Sequence, residues 1–415
     1  MVHTIAATQR AAQHPIALDK PAVNFFEGAV LGNGGMGVIV CTRPDAVMLH
    51  FGHNDIWDIR VAEAHKDEIG TFAEIFARIK AIPTTLQRLE DDPWYSAYVE
   101  MAQENYRKPY PRPFPCGTLV LGFDRRTAEL LGHRLDVSNG VCTVRFLVDG
   151  REAVLEVFCE PLRDRVWLRM EGPAPFDRVH LLPDPATPRE FPPASPPEGL
   201  GANQLAFRQV LPSQEDCTPH PNDRLFQLGV AVTGRLEKRS RRRWDGTIET
   251  MGPFEGGWVA PEDGAFIACA SLDQGQAEPL PTPDRAAWEA AARARDAAWS
   301  EFWGRSAVAL DDEVLERTWY HNLYFLACAL RPGTTCPGLF ANWSLGDIGT
   351  AWHGDYHMNY NTQQPFWVTF SSNHVDKHLP YVDLVHFLLP ISRQHARSYY
   401  GLPGACFPHS AYPVP

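Results

Sequence analysis

The sequence predicts a multidomain β + α protein in which an antiparallel β-sandwich comes first and helices follow. Up to about residue 280, short β-branched and apolar runs alternate with breaks rich in glycine, proline and aspartate. Many short strands separated by such breaks are typical of an antiparallel sandwich. From Pro283 onward the composition changes to alanine-rich sequence with apolar residues at helical spacing. A chain of 415 residues is long enough for two domains.

The strand prediction rests on runs such as residues 38–41, 47–51 and 141–148. Within residues 153–159, apolar side chains alternate with polar ones, which is the period of a half-buried strand. The dipeptide Asp149-Gly150 between two of these runs predicts a hairpin turn. We therefore expect an N-terminal sandwich domain over residues 1–280.

Two segments interrupt the strand pattern. Apolar residues three and four apart predict a helical insert near residues 63–89; they are Ile69, Phe72, Ile75, Phe76 and Ile79. Residues 171–200 contain nine prolines, and we predict a loop there rather than a strand.

The rest of the chain predicts four helices. The first, over residues 284–299, begins after a proline with an acidic residue and is alanine-rich, which is typical of a solvated linker helix in the region 281–310. The second runs from Asp311 or Asp312 to Leu330. The last two cover about residues 361–370 and 375–399, the latter with bends at its two prolines. Residues 311–415 are therefore predicted to be all-α.

Charge and composition exclude several classes of function. The 38 Lys and Arg are outnumbered by 50 Asp and Glu, which argues against a nucleic-acid partner. No run approaches the roughly 18 apolar residues of a membrane span, and the start has no basic stretch followed by an apolar run. The nine cysteines are scattered and form no C-x-x-C pair. We therefore expect a protein without membrane partners in the reducing cytoplasm, and we make no prediction about its oligomeric state.

The glycine-rich segment at residues 32–37 satisfies the dinucleotide-binding pattern G-x-G-x-x-G. That pattern works only where a helix begins at the last glycine, because its amides meet the pyrophosphate. Strand sequence follows at residues 38–41 instead. The segment is therefore better explained as a glycine-rich turn, and we predict no cofactor.

Two histidine pairs have the spacing of zinc ligands on a helix, His353 with His357 and His374 with His378. The zincin pattern needs a glutamate directly after the first histidine, and glycine or valine stands there. We predict no metal site.

The densest polar and aromatic segment covers residues 343–367, where Trp, Tyr and Phe alternate with Asp, His, Asn and Gln. Aromatic rings stack on the apolar faces of sugars, while amides and carboxylates bind their hydroxyls. The alternative is an inter-helix loop with core aromatics. Asn359 and Asn361 are two residues apart, so a regular helix would point them away from each other. If both side chains point into one site, the stretch must be extended or begin a helix. Such a position suits side chains that bind a water molecule rather than pack.

This segment resembles the active-site segment of glycoside hydrolase family 95, the inverting α-L-fucosidases and their relatives among the six-hairpin glycosidases. The shared pattern is Trp352-x-x-Asp355-Tyr356-His357-x-Asn359-x-Asn361-x-Gln363-x-x-x-Trp367. Residues 331–333 and 337–343 are similar to the same family's preceding loop. Residues 31–38 and 54–57 resemble its N-terminal sandwich motif, so the resemblance runs from about residue 25 to the end.

The resemblance implies that residues 311–415 form the first part of an (α/α)6 catalytic barrel. Asn359 and Asn361 would hold and polarise the attacking water, assisting a carboxylate base. The residues that would contact the sugar are Trp343, Trp352, Asp355, His357 and Trp367, with Asn54, Asp55 and Trp57 approaching from the sandwich.

Two departures from the family pattern limit what the resemblance implies. Gly35 replaces a usual arginine, and residues 362–365 differ from the usual Leu-Gln-Met-Asn, so the sugar itself is not implied. The family's general-acid glutamate and base-side aspartate lie beyond the Asn-x-Asn segment, and inversion needs both carboxylates. We therefore expect an inverting glycoside hydrolase whose general acid lies outside this chain, or a catalytically silent carbohydrate-binding protein.

Overall fold

The structure, a computed structural model, describes residues 6–60, 64–65, 67–108, 110–184, 194–195, 201–211, 225–242, 245–344 and 351–413. Within these residues two large antiparallel sheets come first and helices follow, which confirms the predicted sandwich and the helices after it. The later part is not all-α as predicted, because Tyr356–His357 pairs with Ser410–Ala411. Strands of two residues are too short to leave an alternating pattern in the sequence. Among the same residues, every helix is too short or too polar to cross a membrane.

Two sheets make up most of the described N-terminal part, with all neighbouring strands antiparallel. The larger sheet has the spatial order β1 (Ile16–Leu18), β8 (Ala128–Asp136), β9 (Val141–Val148), β10 (Arg151–Cys159), β11 (Arg165–Glu171), β19 (Ile267–Gln274), β14 (Leu225–Val232) and β13 (Gln204–Val210). The smaller sheet has the order β15 (Arg235–Glu237), β18 (Glu255–Val259), β12 (Phe176–Leu182), β7 (Thr118–Phe123), β4 (Ala46–His53), β3 (Met36–Arg43) and β2 (Ala29–Gly32). Short pairs join β5 (Trp57–Asp58) with β6 (Arg112–Pro113), β16 (Ser240–Arg242) with β17 (Ile248–Thr250), and β20 (Tyr356–His357) with β21 (Ser410–Ala411).

The α-helices of the described residues are α1 (Ala7–Ala11), α2 (Phe72–Ala81), α3 (Pro93–Tyr106), α4 (Arg285–Gly304), α5 (Glu313–Ala329), α6 (Gln364–Ser371) and α7 (Leu379–Tyr400). Short 3-10 turns lie at Phe25–Glu27, Leu89–Asp91, Ala351–Gly354 and Val375–His378. Residue types that favour helix N-termini begin two of these helices. Asp312 caps α5, where its carboxylate accepts hydrogen bonds from the N–H groups of the first turn, and Pro380 lies in the first turn of α7.

The two sheets share one apolar core because their strands alternate apolar and polar residues. Phe146 of the larger sheet packs edge to face on Phe123 and Phe176 of the smaller one. Asp149 and Gly150 have φ values of 47° and 75° and form the predicted two-residue turn between β9 and β10.

The prediction of a loop over residues 171–200 is wrong for residues 176–182. β12 lies inside the smaller sheet, paired with β18 on one side and β7 on the other. The strand fits between Pro175 and Pro183 and contains no proline itself, and its Phe176, Val179 and Leu181 are buried. A proline count over thirty residues hid this short strand pattern. Residues 185–193 and 196–200 lie outside the described residues.

The helical insert is larger than the segment predicted near residues 63–89. It contains α2, capped by Thr71, and also α3, which begins at Pro93 after the capping residue Asp92. None of the residues of α3 is buried. Residues 61–63 and 66 lie outside the described residues.

α4 differs from the solvated linker helix that its alanine content predicted. Trp288 packs edge to face on Phe158 of β10, and the small Ala291 is buried beside them. Trp303 is fully buried, and its indole N–H donates to the carbonyl oxygen of Val137 at 3.1 Å. The helix therefore covers the outer face of the larger sheet, with small residues that allow close approach.

The glycine-rich segment at residues 32–37 lies where the helical part contacts the sandwich. A Cβ atom at Gly37 or at Gly52 would overlap the carbonyl oxygen of Asn342, and one at Gly32 would overlap that of Cys328. Glycine is required there because two backbones meet directly. The segment leads into β3, as its sequence context predicted.

One histidine of this helical part has a buried imidazole without hydrogen bonds among the described residues. His374 is fully buried, neither ring nitrogen has a partner among the described residues, and the ring stacks on Phe302 at 4.0 Å. Burial and the positive charges of Arg305 and Lys377 together lower the pKa of His374 to about 4, while the charge of Asp376 opposes them.

We expect His374→Phe to reduce the loss of stability in acid. The folded pKa of about 4 lies below the ordinary 6.5, so the unfolded chain takes up the proton first. This contribution to stability is complete above pH 6.5 and is lost as the pH falls toward 4. In urea titrations, the free energy of unfolding of the variant should fall on the order of 2–3 kcal/mol less between pH 7 and pH 4 than that of the unsubstituted protein. Equal losses in both proteins would show that His374 does not titrate this way.

Candidate functional site

The polar and aromatic segment contains a left-handed turn. Trp352, His353 and Gly354 have φ values of 50°, 56° and 63°. This region is unfavourable for side chains with a Cβ, at a cost on the order of 1–3 kcal/mol for each such residue. Neighbouring elements enclose the turn: the His353 ring stacks on Tyr106 of α3, and Gly338 approaches the Gly354 carbonyl so closely that a Cβ would not fit.

A buried carboxylate holds a histidine directly after this turn. Asp355 is fully buried, and its two carboxylate oxygens lie 2.9 and 3.0 Å from Nδ1 of His357. Nδ1 therefore donates its proton to the carboxylate, which leaves Nε2 to bind a ligand or exchange a proton. The His357 ring also contacts the rings of Trp352 at 5.1 Å and His409 at 4.3 Å.

Strand pairing explains the orientation of this Asp–His pair. Tyr356 and His357 form β20, which pairs with β21 near the end of the described chain. Side chains alternate along a strand, so Tyr356 points the opposite way. Its ring is fully buried, and its hydroxyl donates to the carbonyl oxygen of Cys336 at 2.7 Å. A buried tyrosine thus anchors the segment that presents Asp355 and His357.

Asn359 and Asn361 lie on the turn between β20 and α6. Backbone hydrogen bonds fix this turn. The Met358 N–H donates to the carbonyl oxygen of His409 at 2.8 Å, and the Thr362 N–H donates to the carbonyl oxygen of His357 at 3.1 Å. Both asparagine side chains are exposed. The local geometry is a turn that begins a helix, one of the two arrangements compatible with a shared site.

A groove of about 620 Å³ lies beside this turn, between α5, α6 and residues 337–343. Most of its wall is apolar and includes Trp319, Phe325 and Phe366. Its polar lining groups are Thr318, Asn322, Asn361, Thr362 and Gln364. Among the described residues that line it, none is an aspartate or a glutamate. The groove therefore combines apolar surface with neutral hydrogen-bonding groups.

The structure divides the predicted site residues between several places. Trp352, Asp355 and His357 lie together at the left-handed turn. Asn361 and Trp343 line the groove, and the Trp343 indole donates to the carbonyl oxygen of Leu31 at 2.9 Å. Trp367 is exposed on α6, with its ring edge to face against Tyr360 at 5.7 Å.

The three residues predicted from the sandwich lie at its interface with the helical part. Asn54 donates to the carbonyl oxygens of Gly34 and Ala329 at 2.9 and 2.8 Å, and the Trp57 indole donates to Asn54. Both side chains are buried at this interface and do not line the groove, so their predicted contact with the sugar remains a prediction. Asp55 accepts a hydrogen bond from the Thr335 N–H at 2.7 Å and borders a separate cavity of about 270 Å³.

An ionic network also fixes the start of the loop that leads to the groove. Asp164 of the sandwich contacts Arg331 at 3.3 Å and His53 at 3.1 Å, and it accepts a hydrogen bond from Asn33. Burial alone would raise the pKa of Asp164, but the hydrogen bond and charge of His53, with Arg331 and Asn33, lower it to about 2. Arg331 therefore faces a carboxylate that stays ionised.

Sequence reasoning missed Tyr106 and His409 as neighbours of the site. Tyr106 ends a helix of the insert, far in sequence from the turn it contacts, and carries no motif. His409 lies in a segment for which no secondary structure was predicted, next to β21. His353 belonged to a histidine pair, but its ring packs on Tyr106 at the surface of the turn.

Two family models match the sequence. The glycosyl hydrolase family 65 N-terminal domain matches residues 16–233, and the glycosyl hydrolase family 95 catalytic domain matches residues 286–413. The second match contains the left-handed turn, the Asp–His pair and both asparagines. None of the curated proteins compared with the chain matches it.

Three solved structures are similar to the chain at low identity, and the chain spans about half the length or less of each. A putative kojibiose phosphorylase from the human microbiome has 9% identity and a TM-score of 0.49, with 96% of this chain and 50% of that chain covered. A family 92 glycosyl hydrolase has 11% identity and a TM-score of 0.42, with 99% of this chain and 52% of that chain covered. A family 92 α-mannosidase from Bacteroides thetaiotaomicron has 10% identity and a TM-score of 0.29, with 82% of this chain and 44% of that chain covered.

The family models, in contrast, match the chain directly. The family 65 model covers more than half of the 415 residues, and the family 95 model covers the segment that carries the sequence resemblance. The resemblance to family 95 is thereby confirmed. The chain belongs to the glycoside hydrolases, with a family 65-type N-terminal domain followed by family 95 catalytic-domain sequence.

Proposed function

We propose that the chain binds a carbohydrate at the groove and the neighbouring left-handed turn, as part of an inverting glycoside hydrolase. One observation carries this proposal. The Asn-x-Asn turn places Asn361 in the lining of the groove, shortly after the Asp355–His357 pair and within the matched family 95 segment. Neutral amides, an oriented imidazole and exposed tryptophans are the groups that sugar recognition uses.

Each group has a distinct role in this proposal. The amide oxygens of Asn359 and Asn361 accept hydrogen bonds from the attacking water and hold it at the sugar. His357, oriented by Asp355, offers Nε2 to a sugar hydroxyl. The rings of Trp352 and Trp367, each more than half exposed, offer faces for stacking. Inverting hydrolysis also requires a carboxylate that takes the proton of the water and a carboxylic acid that protonates the leaving oxygen.

A second candidate is a carbohydrate-binding protein without catalysis. The observation that favours it is the lining of the groove, which contains no aspartate or glutamate among its described residues. Both candidates bind sugar at the same surface, and only the first one turns substrate over. Release of the aglycone from aryl glycosides, at equal rates with and without inorganic phosphate, would identify the hydrolase.

We expect Trp352→Ala to weaken sugar binding about 10-fold, because the variant loses a stacking face worth about 1.4 kcal/mol. Calorimetric titration with L-fucose, D-galactose, D-mannose and D-glucose measures this change. Trp352→Phe keeps an aromatic face and should retain most of the affinity.

The matched control is Phe26→Ala, which removes an aromatic ring that is 73% exposed on the sandwich and should leave the affinity unchanged. Equal affinity of Trp352→Ala and the unsubstituted protein would contradict the proposed position of the sugar.

A further inference from the structure

The helical insert of the sandwich contacts the functional turn of the helical part. α3 ends at Tyr106, whose ring stacks on His353 with centroids 4.9 Å apart and planes 6° from parallel. No residue of α3 is buried, and the Tyr106 side chain is 47% exposed. Tyr106 therefore does not fill the core, and its ring stacks on His353 at the surface.

Polar contacts accompany this stack. Burial lowers the pKa of His353, while a hydrogen bond to the Tyr106 backbone opposes that change. Burial and the nearby Asp355 charge raise the pKa of Tyr106, and a hydrogen bond from the Trp352 backbone opposes them. The ring stack on His353 is thus the contact through which Tyr106 meets the turn.

The turn needs such support because of its backbone. Trp352 and His353 both have a Cβ and both occupy the left-handed region, so an unsupported turn would relax to other conformations. Relaxation would move the exposed Trp352 ring relative to the Asp355–His357 pair, since these residues follow one another in the chain. A ring stacked on His353 opposes that movement.

We infer that Tyr106 is a positioning residue: through its stack on His353, the insert holds the left-handed turn in the conformation that presents Trp352 beside His357. What the turn binds rests on the proposed function, but how it is held does not. Tyr106 acts through the turn, and its role is visible in the conformation of Trp352 without any ligand.

The first measurement needs no sugar. In protein labelled with 5-fluorotryptophan, the ¹⁹F resonance of Trp352 is identified by its absence in Trp352→Phe. Tyr106→Ala should shift or split this resonance, whereas Tyr106→Phe, which keeps the stack, should leave it nearly unchanged. Tyr98→Ala is the matched control, because Tyr98 lies on the same helix and stacks on Trp94 instead.

The second measurement removes the stack from its other side. His353→Ala should change the Trp352 resonance as Tyr106→Ala does, and the double variant should add little to either change. His353→Phe keeps an aromatic partner and should restore the original resonance. The other tryptophan resonances report whether each variant is folded. If Tyr106→Ala does not fold, His353→Ala still tests the inference.

Sugar titration separates the inference from the proposed function. If the unsubstituted protein binds L-fucose, D-galactose, D-mannose or D-glucose, Tyr106→Ala should weaken that binding about 10-fold and Tyr106→Phe should not. If none of them binds while the Trp352 resonance responds as expected, the proposed function fails and the positioning role stands. A Trp352 resonance that is identical in Tyr106→Ala, His353→Ala and the unsubstituted protein would overturn the inference.

Discussion

Replacing Asn361 with alanine should lower kcat about 100-fold or more and leave KM nearly unchanged. The amide is proposed to hold the attacking water, so its contribution arises in the transition state rather than in substrate binding. Asn359→Ala should behave in the same way. Steady-state kinetics of the full-length enzyme, which supplies the expected general acid, measure the effect with an aryl glycoside and with a glycosyl fluoride. The fluoride should not restore the rate because leaving-group protonation is not the step affected.

Asn322→Ala provides the matched control for this prediction. Asn322 lines the same groove from α5 but lies outside the Asn-x-Asn turn. Its loss should raise KM and leave kcat close to that of the unsubstituted enzyme. If Asn361→Ala instead raises KM or Kd with kcat intact, Asn361 is an ordinary hydroxyl ligand. In a binding protein without catalysis, its loss should weaken affinity by about 1–3 kcal/mol.

Trp303→Ala should lower the free energy of unfolding by about 3–5 kcal/mol, as expected for a large aromatic ring removed from a core. Trp303 is fully buried, donates to Val137 of the sandwich and contacts the rings of Phe302 and Tyr320. The cavity left by its ring would therefore lie between α4, the sandwich and α5. Urea unfolding, followed by circular dichroism, measures the loss.

Arg293→Ala controls for helix propensity in that experiment. Arg293 is exposed on the same helix, so its replacement should change stability by less than about 0.5 kcal/mol. A loss below about 1 kcal/mol in Trp303→Ala would mean that α4 is the solvated linker which its alanine-rich sequence suggested.

Local patterns predicted the parts of the fold that depend on neighbours in sequence. The hairpin at Asp149-Gly150 and the cap of α5 at Asp312 follow from turn and capping preferences over a few residues. β12 was hidden because a composition window averaged it with flanking prolines. α4 was misjudged because alanine suits both a solvated helix and a helix pressed against a sheet, and only the sheet distinguishes the two.

The site itself could be predicted only in part. The segment from Trp352 to Trp367 was identified by its residue types, and the structure brings Trp352, Asp355 and His357 together. Contacts between distant segments, such as Tyr106 with His353, leave no periodic pattern in the sequence. The buried positions of Asn54 and Trp57 likewise depend on how the helical part packs on the sandwich, which no local pattern encodes.

The side-chain amide signals of Asn359 and Asn361 test most directly whether sugar binds at this turn. They are assigned in a ¹H–¹⁵N correlation spectrum by their loss in the two alanine variants, and then followed during titration with L-fucose, D-galactose, D-mannose and D-glucose. The amide of Asn139, which caps a turn in the sandwich, serves as reference. We predict that one sugar shifts both asparagine signals saturably with a single Kd and leaves Asn139 unchanged. Signals of Asn359 and Asn361 that stay unchanged with every sugar would contradict a carbohydrate site at this turn.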